Sequence, residues 1–307
     1  MSDKPLGKRI KYGAIYWLVR SLIFTANVFP RKWWLRFCGF LGTIAYNIVG
    51  DARGKTIVNL GFAYSGEKSA NEILGMSKQV FKMLGRNGGE ILRAIKVRNL
   101  DDLGKILVTH GYENFEAARD KGKGVIFLTC HLGAFDLQIT NMSLRGLKPN
   151  IIGTPLKDER LNELLFNYRN AYGAVAVERG KETLRLLKAL KSGGSVAILI
   201  DQDTKVKSRF VNFFGTPAAT PVGAAILAMK TGAAIVPTYV YLDESDWKQH
   251  MHILPEIPTI NTGDEEKDMV ENTQAYTKFI EDTIRKYPTQ WVWMHERWKT
   301  RPGEEII

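Results

Sequence analysis

Cysteine is scarce: Cys38 and Cys130 are the only two in 307 residues. That is too few for a disulfide framework, and their separation excludes a Cys-x-x-Cys metal knuckle. Two free thiols fit a reducing compartment. Gly-x-Ser-x-Gly and His-Glu-x-x-His are both absent, which excludes a nucleophile elbow of the α/β-hydrolase kind and a zincin helix. There is no internal repeat or low-complexity tract. With 45% hydrophobic and 24% charged residues, wholesale disorder and rod-like folds are excluded. In the apolar stretch 12–49 the longest charge-free run, 37–50, has 14 residues, short of the roughly 20 that a spanning helix needs. No small-residue cleavage site follows a compact apolar core, so no signal peptide is expected.

What is present is an uneven charge. The net charge is +11, and residues 1–110 hold all of it, with 18 Lys and Arg against 7 Asp and Glu; residues 111–307 carry 25 of each. Such asymmetry points to an anionic membrane or to nucleic acid. In residues 12–49, Arg20, Arg31, Lys32 and Arg36 interrupt a dense set that includes Trp17, Phe24, Trp33 and Trp34. Aromatics so closely flanked by aliphatic residues argue against nucleic acid. They predict one or two interfacial helices with Trp and basic side chains at the headgroup level, a pair of core helices being the alternative. The expected organisation is a membrane-associating helical segment over 1–50 and a second domain over 51–307.

Residues 51–61 read as a polar, basic connector, and 71–96 as a helix broken or closely packed at Gly85, Gly88 and Gly89. From Gly124 the texture changes. Strands are predicted at 125–130, 150–153, 175–177, 195–200, 234–242 and 250–254. Helices are predicted at 134–144, 158–172, 181–191, 221–231 and 265–286. This alternation predicts an α/β fold with a central, largely parallel sheet flanked by helices, whose ligands sit beyond the carboxyl ends of the strands.

At those ends stand the candidate groups. The strand 125–130 runs directly into His131-Leu-Gly-Ala-Phe-Asp136, a histidine with a carboxylate about one helical turn later. Imidazole titrates near neutrality and suits a general base. A carboxylate on its other nitrogen fixes the tautomer. Without a Ser or Cys nucleophile in a recognisable context, the base activates a substrate hydroxyl, and free amides after His131 are candidates to stabilise an oxyanion. Arg179 follows the strand 175–177 and suits a phosphate or carboxylate. Asp201 and Asp203 flank Gln202, an arrangement that serves either a divalent ion or a loop cap. Phe213-Phe214-Gly215 reads as an apolar turn lining a core or a lipid tunnel. His250 and His252 share one face of a strand and read as edge-strand polar residues rather than metal ligands, and His110 and His295 as lone structural hydrogen-bonders.

This ordered set resembles the lysophospholipid acyltransferase superfamily: His-x-x-x-x-Asp at a strand end, a valine-rich strand ending in Glu178-Arg179, then Asp201-Gln202-Asp203 and Phe213-Phe214-Gly215. With 58–60 (Val-Asn-Leu), 111–114 (Gly-Tyr-Glu-Asn) and the tail 291–302 (Trp-Val-Trp-Met-His-Glu-Arg-Trp-Lys-Thr-Arg-Pro), it is similar to the lipid A late acyltransferase branch, the lauroyl and myristoyl transferases, over nearly the whole chain. The resemblance implies transfer of a fatty acyl group from acyl carrier protein to a hydroxyl of a phosphorylated lipid A precursor, at the cytoplasmic face of a bacterial inner membrane, without metal or organic cofactor. His131 matches the general base and Asp136 its carboxylate partner. Arg179 matches the basic residue that binds acceptor phosphate or supports the oxyanion. Arg169 falls near an arginine-containing stretch, and Asp201 and Asp203 match the acidic pair of the third block. Leu132, Phe213 and Phe214, with Gly215 beside them, are candidates for an acyl slot. Much of the branch has Glu where this chain has Asp136; the charge is kept on a shorter side chain. Another glycolipid or lysophospholipid acceptor, and a lipid-binding protein without turnover, are the alternatives.

Overall fold

The computed structural model describes residues 6–153, 158–170, 173–178 and 183–304. Its amino-terminal part is helical: α1 (Leu6–Ala26), α2 (Arg31–Ile48), α3 (Gly50–Ala63) and α4 (Ala70–Ala94). α4 starts on a capping box, in which the Ser69 hydroxyl accepts from Glu72 N and the Glu72 carboxylate accepts from Ser69 N at 2.8 Å. Its glycines do not break it. A Cβ on Gly42 of α2 would meet Phe81 O at 2.1 Å, and one on Gly85 would meet Cys38 O at 2.2 Å. Glycine is therefore what lets the two helix backbones touch. Residues 51–61, expected as a connector, are part of α3, because Thr56, Asn59, Leu60 and Ala63 recur on one buried face. The polar residues between them masked that period.

The segment 12–49, where one or two helices are expected, belongs to two, and each presents apolar side chains outward. Trp17 and Phe24 on α1 are 65% and 72% exposed, and Trp33 and Ile48 on α2 are 66% and 75% exposed. On α2 the opposite face, with Trp34, Leu35, Cys38 and Gly42, is buried. No helix among the described residues is long and apolar enough to cross a membrane.

The rest is built on a seven-stranded sheet in the order β1 (Leu107–His110), β9 (Gln249–Ile253), β8 (Ala234–Leu242), β2 (Val125–Thr129), β5 (Ser195–Leu199), β3 (Asn150–Gly153) and β4 (Val175–Glu178). All neighbours are parallel except the antiparallel β8–β9 pair, so the predicted α/β class with a largely parallel sheet is the observed one. Helices α5 (Leu100–Gly104), α6 (Tyr112–Arg119), α7 (Asp136–Leu144), α8 (Glu159–Asn170), α9 (Thr183–Lys191), α10 (Gly223–Thr231) and α11 (Glu265–Lys286) flank it. The strands β1, β6 (Ser208–Phe213) and β7 (Thr216–Pro221) and the short helices α5 and α6 had no sequence expectation. β9, expected at an edge, lies between β1 and β8.

β2 is buried along its whole length, as a short apolar run in a covered parallel sheet requires. Its alternate residues feed two cores. Ile126, Leu128 and Cys130 join one side with α10 and α11, and Val125 and Phe127 join the other with α6 and α7. The helical layer is tied to the sheet through the β8–β9 turn. Arg31 pairs with the buried Glu90 of α4, with Nε to Oε1 at 2.9 Å, and also donates to Trp247 O. The Arg86 guanidinium pairs with Glu244 and lies over the Trp247 ring, 4.9 Å from its centroid.

Candidate functional site

The strand–turn–helix that carries His131 is held from three sides. Gly133 has φ +63°, and a Cβ there would meet Val240 O at 2.1 Å, so only glycine permits this close turn beside β8. The Gly133 amide donates to Gln290 O at 3.0 Å, and Leu132 bridges to Trp291. The side-chain amide of Gln290 exchanges two 2.9 Å hydrogen bonds with the backbone of Leu242. The carboxy-terminal Trp-rich segment thus clamps the turn onto the sheet. It is anchored in turn by Asn59 of α3, whose Nδ2 donates to Trp293 O and His295 O at 2.7 and 2.6 Å.

His131 is 21% exposed at its side chain, and its Nδ1 is 2.8 Å from Asp201 Oδ1. The other carboxylate oxygen accepts from the His131 backbone amide at 2.8 Å and from Trp291 Nε1 at 2.7 Å. Burial alone would raise the Asp201 pKa. The neighbouring His131 charge and these three donors outweigh it and hold the carboxyl at about 2. An anionic Asp201 on Nδ1 fixes the tautomer with the proton there and leaves Nε2 as the basic nitrogen.

The carboxylate on Nδ1 therefore comes from the acidic pair that the sequence reads as an ion site or a loop cap. Asp136, its expected partner, lies in the first turn of α7, is buried, and lines the same cavity as His131. That cavity, about 270 Å³, runs down between β2, α7, β3 and β8. A larger one of about 380 Å³ opens on the opposite face of the sheet, walled by Val177, Leu186, Ile198, Ile226 and Leu227 with Lys205 and Lys207. Ile152, Leu199 and Thr204 belong to both walls.

The other expected residues are placed as follows. Asp203 is buried and accepts from Thr300 N at 2.9 Å, so it caps the tail segment. Between the two aspartates' fields sits the fully buried Arg297, which burial pulls down to about 10 while Asp201 and Asp203 oppose the shift. Arg297 donates to Ala219 O at 2.6 Å. Phe214 and Gly215 form the β6–β7 turn, both with positive φ. Phe214 is packed against Tyr64 and Trp293, and its amide donates to Glu281 at 2.7 Å. Leu132 and Phe213 are fully buried in the same core. None of these four lines either cavity, because the hairpin folds its aromatic tip inward. Arg179 lies outside the described residues, as does the side chain of Arg169, whose backbone belongs to α8.

Of the amides after His131, Leu132 donates to Cys130 O and Gly133 to Gln290 O, so neither is available to an oxyanion. Burial, reinforced by the Asp201 charge, pushes the Cys130 thiol well up, which makes it no nucleophile. His110 does not stand alone. Its Nε2 is 2.9 Å from His250 Nδ1, and its ring stacks on His252 at 4.5 Å. No metal-holding group of His, Cys, Asp and Glu occurs among the described residues.

Missed by sequence reasoning were Trp291 as the third donor to Asp201, and Gln138, Thr204 and Thr238 as cavity walls. The only available signal was the density of Trp in the tail.

Residues 4–300 match the family described as bacterial lipid A biosynthesis acyltransferase. The chain is 31% identical over 185 residues to the lipid A biosynthesis lauroyltransferase of Escherichia coli K12, covering 58% of this chain and 56% of that one. It is 25% identical over 256 residues to a lipid A biosynthesis acyltransferase of Haemophilus influenzae, covering 83% and 77%. It is 26% identical over 196 residues to a phosphatidylinositol mannoside acyltransferase of Mycobacterium tuberculosis, covering 62% of this chain and 60% of that protein's length.

Proposed function

The chain belongs to the bacterial lipid A biosynthesis acyltransferase family, and from that membership and the site's geometry we propose that it is an O-acyltransferase. In this reading it moves a fatty acyl group from acyl carrier protein to a hydroxyl of a phosphorylated lipid A precursor, at the cytoplasmic face of the bacterial inner membrane. The observation that carries it is the buried Asp201 on Nδ1 of a histidine that lines a cavity.

His131 Nε2 takes the proton of the acceptor hydroxyl as its oxygen attacks the thioester carbonyl. Asp201 stabilises the imidazolium that results, and the thiolate leaves with that proton. In this reading Asp136, which lines the same cavity, helps to orient the acceptor hydroxyl. The exposed apolar faces of α1 and α2, with Lys11, Arg20, Lys32 and Arg36 also exposed, support docking on an anionic lipid surface that delivers the acceptor. Arg179 is retained as the acceptor-phosphate residue.

The test is acyl transfer in detergent from lauroyl- or myristoyl-carrier protein to a Kdo-bearing tetra-acylated lipid A precursor, with His131→Ala alongside. A product heavier by one acyl chain, absent in the variant, is expected. Transfer retained in the variant overturns the role of His131. The mycobacterial relatives favour a second acceptor, a phosphatidylinositol mannoside; transfer to it in place of the lipid A precursor would establish that reading.

A further inference from the structure

We propose that the groove between α2 and α4 is a headgroup site, in which Arg36, Lys78 and Lys82 hold the phosphate of one anionic membrane phospholipid. The proposal rests on the docking part of the reading above, to which it adds a defined lipid contact, and takes nothing from the acyl-transfer chemistry.

The groove, about 340 Å³, is lined by Arg36, Gly39 and Phe40 of α2 and by Lys78, Lys82 and Arg86 of α4, and no acidic residue lines it. Of its four cations only Arg86, which is buried, has a carboxylate, that of Glu244. Arg36 lies over the Trp33 and Trp247 rings, 5.7 and 5.2 Å from their centroids. Arg36, Lys78 and Lys82 have no carboxylate partner among the described residues. On α4 the cations Lys78, Lys82 and Arg86 recur every four residues, and like charges at that spacing destabilise a helix. The groove between α3 and the tail is built differently: there Lys55 reaches Asp51 at 3.0 Å and Glu296 at 3.5 Å. The α2–α4 groove thus keeps a positive field for an anion from outside the chain.

The walls of the groove define that anion. Much of their surface is carbon. Gly39 lets the long side chains of α4 lie close, since a Cβ there would meet Arg86 Cγ at 3.1 Å and Lys82 Cγ at 3.4 Å. Lysine lays its methylene stem along such a surface and carries the charge at its end. Phe40 lines the groove and is exposed. With Trp33 and Phe37, also exposed, it recurs at i, i+4 and i+7 as an apolar stripe on α2. A small inorganic anion would meet the charges and leave the carbon walls and the stripe in water. A phospholipid of net negative charge answers both parts. Its phosphate accepts from Lys78, Lys82 and Arg36, and its glycerol and upper acyl carbons lie against Phe40 and the stripe. A zwitterionic headgroup brings a cation of its own into the same field and is selected against. The groove is one helix pair wide and suits a single headgroup, whereas an acidic protein spreads its carboxylates over a broad face.

The test is calorimetric titration of the full chain with dihexanoylphosphatidylglycerol and with dihexanoylphosphatidylcholine, both below their micelle concentrations, so that no lipid surface is present. Three proteins are compared: wild type, Lys78→Gln with Lys82→Gln, and Lys188→Gln with Lys191→Gln, an equal loss of charge on α9. Wild type is expected to bind the glycerol lipid at one site per chain and about tenfold more tightly than the choline lipid, the worth of a charge-assisted hydrogen bond. The preference should vanish in the α4 pair and persist in the α9 pair. No preference in wild type, or one lost or kept by both pairs alike, overturns the proposal and leaves a diffuse field only. If the α4 pair does not fold, as judged by circular dichroism, Lys78→Gln at its exposed position decides alone. Sodium phosphate in place of sodium chloride at equal ionic strength should leave the affinity for the glycerol lipid unchanged; displacement of the lipid would make the groove a free-phosphate site and overturn the assignment. Acyl carrier protein that binds through Lys78 and Lys82 where the lipid does not would overturn it likewise. Vesicles of phosphatidylcholine and phosphatidylglycerol in equal parts are titrated separately. A wild type that binds the monomeric lipid but no vesicle refutes the docking reading and not the groove, and one that binds vesicles but no monomer refutes the groove alone.

Discussion

At the scale of the residue, the site is one histidine whose Nδ1 is hydrogen bonded to a carboxylate distant in the chain. Replacing Asp201 with Asn keeps the shape but removes the anion that favours the Nδ1–H tautomer. Turnover in the acyl-transfer assay is expected to fall about 10²- to 10⁴-fold, the usual range for losing an effective general base. The same carboxylate links stability to pH. Its folded pKa, about 2, lies below the ordinary 3.8, so its contribution is complete above about pH 4 and is lost as pH falls through about 2. Urea midpoints measured from pH 5 to pH 2 should show this acid limb in wild type and a shallower one in Asp201→Asn. An identical limb in both would mean that Asp201 is not held as an anion.

At the scale of the element, two packings make opposite demands on small changes. Gly85→Ala places a Cβ against the Cys38 carbonyl, with backbone on both sides and little room to yield. A loss of about 1–3 kcal/mol in chemical denaturation is expected. Gly75 lies on the same helix in open space, and Gly75→Ala should instead stabilise by about 0.5–1 kcal/mol through helix propensity. The β1–β9–β8 face has a different sensitivity. Burial, then the charges of His110, Lys286 and His250, lower His252 from 6.5 to about 4, and its Nε2 has no partner among the described residues. The unfolded chain takes that proton first. Stability from this group is therefore full above about pH 6.5 and drains away as pH falls towards 4, by roughly 3 kcal/mol at most. His252→Phe should flatten the stability profile between those limits while the acid limb below pH 4 persists.

At the scale of the whole molecule, the charge and the exposed apolar surface lie at one end of the chain and the cavities at the other. Trp17, Phe24 and Trp33 recur on outward helix faces. Replacing all three with Ala should weaken co-sedimentation with anionic vesicles more than about 100-fold, since each inserted aromatic is worth roughly 1.5–3 kcal/mol. The melting temperature should change little, as these side chains are already in water. Wild-type binding should also weaken as salt rises, because part of the attraction comes from basic side chains within a Debye length of the surface. Binding that ignores both changes, or no binding by wild type, would overturn the docking role proposed for these faces.

Periodicity and composition by themselves determined the α/β class, six strands of the sheet, the two apolar amino-terminal helices and the position of His131 at a strand's carboxyl end. These follow from side-chain spacing along a local segment, which a linear chain displays. Helix α3 escaped because its period runs through polar Thr56 and Asn59, and the β6–β7 hairpin because its inward aromatic turn has no local counterpart. Only the tertiary structure decided which carboxylate serves His131. Asp136 is near in sequence, but the parallel pairing of β2 with β5 sets Asp201 beside the imidazole, and the tail brings Trp291 to the other oxygen. Pairings between strands seventy residues apart are made by sheet register, and nothing in the spacing of one strand records its neighbour.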